Sequence, residues 1–104
     1  MWWKKPYINR RDWILDNLGA LSLSPEQVVV LLMVDFYNEQ GKAIDLEAFA
    51  KACSMELAEV DQVIHSLVQS QILKIQPQKD RIDFSIDGLF DQGVMYEYVD
   101  QDIF

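Results

Sequence analysis

The chain has 104 residues, half of them hydrophobic, and a formal net charge of −8. That length suits one domain with a single modest core, and the apolar fraction excludes a chain that is disordered by composition. The charge is uneven: Lys4, Lys5, Arg10 and Arg11 give the first eleven residues +4 with no acid, whereas the remainder sets five Lys/Arg against all seventeen acids, a balance of −12. So acidic a body disfavours nonspecific contact with nucleic acid or anionic membrane and favours basic protein partners. Cys53 is the single cysteine, which excludes an internal disulfide and any zinc spacing; on the apolar face of a short helix it reads as a reduced core thiol. The N-terminal charges are followed by no long apolar run, so no signal peptide is expected. The longest uninterrupted apolar run, Val28 to Val34, is far short of a membrane span. A cytoplasmic protein with no membrane span is expected.

Residues 1–8, MWWKKPYI, mix aromatic and basic side chains and end near a proline break. Trp2 and Trp3 either fold back onto the chain's own core or pack on another subunit, since Trp and Tyr are enriched among interface anchors. Asn9 to Leu18 predicts a short helix with Trp13, Ile14 and Leu18 on one face and Asp12 and Asp16 on the other. Gly19 is its expected stop. Ala20 to Leu23 is an apolar connector; if extended, Leu21 and Leu23 point the same way, as in a small first strand that pairs with a later hairpin or across a dimer.

Ser24-Pro25-Glu26-Gln27 is the clearest helix start. Ser24 caps, Pro25 fits the first helical position and Gln27 completes a capping box. The helix should run to about Gln40 and stop at Gly41. It is apolar nearly all round from Val28 to Met33, so it is expected to be the central buried helix, with Asp35, Asn38 and Glu39 marking an exposed far end.

Residues 44–86 predict helix, tight turn, helix and two short strands. Asp45 should accept from first-turn amides, with Ile44 and Phe49 at the spacing of a hydrophobic staple. Leu46, Phe49, Ala50 and Cys53 recur at helical spacing and should share one buried face. Ser54 and Met55 make the turn, and Glu56 caps the next helix. There Val60, Val63, Ile64, Leu67 and Val68 form the apolar stripe, while Asp61, Gln62, His65 and Gln69 look outward. Ile72, Leu73 and Ile75 lead to a turn at Pro77, Gln78, Lys79 and Asp80. Ile82, Phe84 and Ile86 then alternate with Asp83 and Ser85, as in a half-buried strand. The expected fold is mainly α with a small β-hairpin (α+β): a winged helix-turn-helix with an N-terminal helical extension.

Asp87 to Gly93 predicts a turn or one-turn helix anchored by Leu89 and Phe90, and Val94 to Val99 looks like the start of another helix. The chain then ends in Asp100, Gln101, Asp102, Ile103 and Phe104, which is expected to be a cut end rather than a natural finish.

No catalytic constellation is found. One histidine, His65, faces away from Cys53 and reads as a surface residue; the four glycines form no phosphate-cradling loop. Asp80, Asp83, Asp87 and Asp91 lack the ligand alternation of a calcium loop and read as a solvated acidic edge. No enzyme, metal or cofactor is expected. A winged helix usually places its second helix in the major groove, but here no Lys or Arg lies between Glu56 and Gln71. Phosphates repel such a face. The nucleic-acid signal is confined to Lys74, Lys79 and Arg81 on the hairpin and to the basic N-terminal arm; Asp80 and Asp83 interleave the hairpin charges, which favours an ordinary solvated hairpin.

SPEQVVVLLMVDFYNEQGK, IDLEAFAKACSMELAEVDQVIHSLVQSQIL and FSIDGLFDQGVMYEYV together resemble the N-terminal domain of the DnaD-like replication initiation (primosome) proteins of low-GC Gram-positive bacteria, from about Arg10 to Val99. The resemblance implies a domain that self-associates and contacts other initiation proteins, with most DNA binding left to a separate C-terminal domain. The expected organisation is a 1–23 extension for oligomerisation, a 24–99 winged-helix domain and a 100–104 tail. The expected function is a noncatalytic scaffold that forms dimers or larger assemblies through Trp2, Trp3, Trp13, Ile14, Leu21 and Leu23, recruits replication initiation proteins and touches DNA weakly or not at all. The alternative is a winged-helix transcriptional regulator that binds DNA as a dimer through Gln62, His65 and the hairpin.

Overall fold

A computed structural model describes residues 4, 5, 9–77 and 82–91. Among these, six helices and one two-stranded antiparallel hairpin form a mainly helical α+β arrangement. The chain opens with α1 (Arg10–Asp16), whose N-cap Asn9 accepts the amide of Asp12 through its side chain at 3.0 Å. The helix ends earlier than its apolar spacing predicts. Asn17 is buried and donates its side-chain amide to the Trp13 carbonyl at 2.7 Å, which competes with continuation of the helical ladder. A one-turn helix, α2 (Leu18–Leu21), follows and closes at Ser22 in a left-handed conformation (φ 54°). Gly19 therefore lies inside a helical turn instead of stopping one, and the strand expected at Ala20–Leu23 does not form. Leu18, expected inward, is exposed, whereas Leu21 is buried by that turn.

The central element is α3 (Pro25–Gln40). Its capping box is present: the Ser24 amide donates to Gln27 Oε1 at 2.9 Å and the Gln27 amide donates to Ser24 Oγ at 3.2 Å. At the other end Gly41 turns left-handed (φ 68°), and the Lys42 amide closes back on the Tyr37 carbonyl at 2.9 Å. Glycine suits that position because it has no Cβ to strain. Val30, Leu31 and Val34 are fully buried. Asp35, expected at an exposed end, is buried as well.

Helices α4 (Leu46–Ala52) and α5 (Leu57–Gln69) are joined by a tight turn, with Ser54 left-handed (φ 58°) and the Met55 amide donating to the Ala50 carbonyl at 3.0 Å. Asp45 and Glu56 occupy the two N-cap positions, but neither makes a side-chain capping bond. Phe49, Ala50 and Cys53 face the core as their spacing requires; Leu46, predicted beside them, is exposed. On α5, Val60, Ile64 and Leu67 are buried and Val63 and Val68 are half-buried. Both α3 and α4 pack on α5. Strands β1 (Lys74–Pro77) and β2 (Ile82–Ser85) pair from Lys74↔Ser85 to Pro77↔Ile82. The alternation fails at the end of β2: Ser85 is buried and its hydroxyl accepts the Asp87 amide at 3.1 Å. Helix α6 (Asp87–Asp91) then buries Leu89 and Phe90. Gly88 is required there, because a Cβ would lie 2.0 Å from the Gln71 carbonyl oxygen.

Ile14, Leu21, Val30, Phe49, Leu67 and Phe90 belong to one core. Edge-to-face ring contacts join Trp13 to Phe90 at 5.4 Å and Tyr37 to Phe49 at 5.2 Å. The N-terminal helix thus shares the core of the body. Among the described residues, no helix is long and apolar enough to cross a membrane.

Candidate interaction surfaces

The basic N-terminal stretch is not a free cationic arm. Arg10 lies 3.1 Å from Asp35, and Arg11 lies 3.6 Å from the same carboxylate. Arg11 also pairs with Glu39 and sits over the Phe36 ring, 5.4 Å from its centroid. Lys4 meets Asp87 at 3.1 Å, with Arg10 at 3.9 Å from the second oxygen. The sequence places two adjacent arginines in the first turn of α1, and the packing of Ile14 against the core lays that turn along α3 and α6. A cluster of three cations and three acids results. Asp87, expected on a solvated edge, is part of it. Burial raises the Asp35 pKa above its ordinary value; the Arg10 and Arg11 guanidiniums pull it down, and Glu39 and Asp87 push it up.

The predicted interface residues fall in different places. Trp2 and Trp3 lie outside the described residues. Ile14 and Leu21 are buried in the chain's own core, and Trp13 and Leu23 are half-buried against it. The exposed apolar side chains of this region are Leu15 and Leu18, 51 % and 39 % exposed. Leu15 was hidden from pattern reading by its acidic neighbours, Asp12 and Asp16 on the same helical side. Of the hairpin cations, Lys79 and Arg81 lie outside the described residues, and Lys74 is exposed on β1, opposite Ser85.

On α5, Glu59, Asp61, Gln62, His65 and Gln69 are exposed, as predicted. Two grooves flank the first turns of this helix. One, of about 400 Å³, is lined by Ser24, Gln27, Val63 and Ser66 together with Glu26, Glu59 and Gln62. The other, of about 320 Å³, lies at the α4–α5 turn between Glu47, Ala50, Lys51, Met55, Glu56 and Leu57. The latter was not foreseen; its signal is Leu57 at the first position of α5, an exposed leucine between acids. Cys53 is buried and unbridged, and burial raises its thiol pKa. No group of three or more His, Cys, Asp or Glu among the described residues could hold a metal ion.

Comparison of the chain with the known protein families and with curated proteins returns no match.

Proposed function

We propose that the chain is a noncatalytic scaffold domain of a DNA replication initiation (primosome) protein of the DnaD-like kind, built as a winged helix that self-associates and contacts other replication proteins. The observation that carries this reading is the outward face of α5: the helix that would enter a major groove exposes Glu59 and Asp61 and has no Lys or Arg. Phosphate neutralisation supplies most nonspecific DNA affinity, so this face suits protein contact instead. The succession of α3, α4, turn, α5 and hairpin supports the winged-helix assignment. Self-association draws on the N-terminal region, where Leu15 and Leu18 present apolar surface and Ile14 and Leu21 do not.

Sedimentation velocity across the micromolar range tests the reading. The intact chain is expected to form dimers or larger species, and Leu15→Asp with Leu18→Asp to yield monomers. Deletion of α1 is the poorer experiment, because it empties the seat of Ile14 in the core. A monomeric intact chain would overturn the self-association at the centre of the scaffold assignment, and sequence-specific capture of duplex DNA at physiological salt would overturn that assignment in favour of a regulator.

A further inference from the structure

The groove at the α4–α5 turn is a built feature of the backbone. Left-handed Ser54 and the Met55-to-Ala50 hydrogen bond at 3.0 Å fix the turn that forms it. Ala50 is buried and Met55 half-buried, so the groove reaches the edge of the core. Leu57 lines it while 43 % exposed. Leu46, one helical turn before Ala50 on α4, is exposed as well. An apolar strip at a helix junction is the usual seat for the anchors of an amphipathic helix.

Charge decides which occupant fits. The α4–α5 groove is bordered by two carboxylates, Glu47 and Glu56, and by one ammonium, Lys51, and it sits in a body whose acids far outnumber its Lys and Arg. Nucleic acid is repelled there. A second copy of a chain with net charge −8 would bring acid to acid, and three of its four N-terminal cations already pair with Asp35, Glu39 and Asp87. Resting on the scaffold reading, we infer that the α4–α5 groove receives the aliphatic anchor of a basic amphipathic helix from a different protein. Leucine-type side chains of that helix pack on Met55 and Leu57, and its Lys and Arg side chains meet Glu47 and Glu56.

The probe is a fluorescein-labelled peptide with leucine at i, i+3, i+4 and i+7 and lysine on the remaining faces, titrated with the intact chain at physiological salt. Two companion peptides replace the leucines by serine or the lysines by glutamate. The Leu/Lys peptide is expected to bind in the micromolar range, Leu57→Asp to weaken it at least about tenfold, and both companions to fail. Leu57→Asp adds an acid at the first position of α5, where the helix dipole favours negative charge, so folding is retained and circular dichroism checks it. Absence of binding, equal binding of the serine peptide, or an unchanged Kd for Leu57→Asp would overturn the inference. So would loss of self-association in Leu57→Asp, which would make the groove an interface between copies and leave the scaffold reading standing. A monomeric intact chain that still binds the peptide through Leu57 would remove the scaffold reading and leave the groove.

Discussion

Replacing Arg10 and Arg11 together by alanine strands a buried carboxylate, and the resulting loss should depend strongly on pH. Asp35 is 4 % exposed, with the two guanidiniums 3.1 and 3.6 Å away. Burial is already the largest influence on its pKa, which stands above the ordinary 3.8; the arginines oppose that rise. Without them, burial acts alongside the like charges of Glu39 and Asp87, and the carboxyl takes up a proton rather than remain ionised there. Protonation caps the penalty. Holding a proton at pH 7 that the unfolded chain releases at 3.8 costs about 1.36 kcal/mol per pH unit, or about 4 kcal/mol. Because the folded pKa lies above the unfolded one, the penalty grows as pH rises from the unfolded value and fades as pH falls towards it. At pH 5 the same ceiling is about 1.6 kcal/mol. The intact chain already carries part of this penalty, so urea unfolding followed by tryptophan fluorescence should show a loss that stays below about 4 kcal/mol at pH 7 and is clearly smaller, below about 1.6 kcal/mol, at pH 5. Asp35→Asn is the matching control. Its amide needs no counter-charge and the arginines, 25–30 % exposed, stay hydrated, so a change within about 1 kcal/mol is expected. Equal losses for the double variant at the two pH values would refute this account.

Three further outcomes follow from the packing. Gly88→Ala places a methyl 2.0 Å from the Gln71 carbonyl oxygen and 2.7 Å from that of Ile72; both are backbone, so α6 must shift, and a loss of about 1–3 kcal/mol is expected in the same urea titration. Gly19→Ala meets nothing within 4 Å inside α2 and should gain about 0.5–1 kcal/mol, so equal effects at the two glycines would contradict the packing described. Iodoacetamide should modify Cys53 many-fold more slowly in the folded chain than in urea, because burial both blocks the thiol and raises its pKa; comparable rates would place it at the surface.

The elements that announce themselves locally were legible in the sequence. The start of α3 needs only Ser24, Pro25 and Gln27, and its end only Gly41, because capping is settled within a turn. The α5 stripe follows from helical periodicity. What escaped depends on contacts between distant segments. Asp35 is an acid in the far half of α3 and looks exposed; it is buried because α1 brings Arg10 and Arg11 across it. Ser85 breaks the strand alternation because its hydroxyl serves the first amide of α6. Asn17 ends α1 through one side-chain hydrogen bond to Trp13, where glycine two residues later was the more visible signal. The interface candidates suffered from the same blindness: Ile14 is apolar because the chain's own core needs it, while Leu15 looked unremarkable between acids. The α4–α5 groove left a trace only in an exposed leucine at a helix start.

Pairing the N-terminal cations inside the chain also decides what the protein presents to others. Taken alone, residues 4–11 look like a basic arm suited to phosphates. Once Lys4, Arg10 and Arg11 lie against Asp87, Asp35 and Glu39, their charge is largely cancelled at close range, and the field reaching a partner is set by the acids around α4 and α5. Salt separates the two roles. The Asp35 pairs are partly buried and less screened, whereas Glu47, Glu56 and Glu59 are exposed and lose reach beyond about 8 Å at physiological ionic strength. Raising salt should therefore abolish attraction for a basic helix well before it loosens α1 from the core. The acidic face is the adjustable contact; the basic stretch is structural.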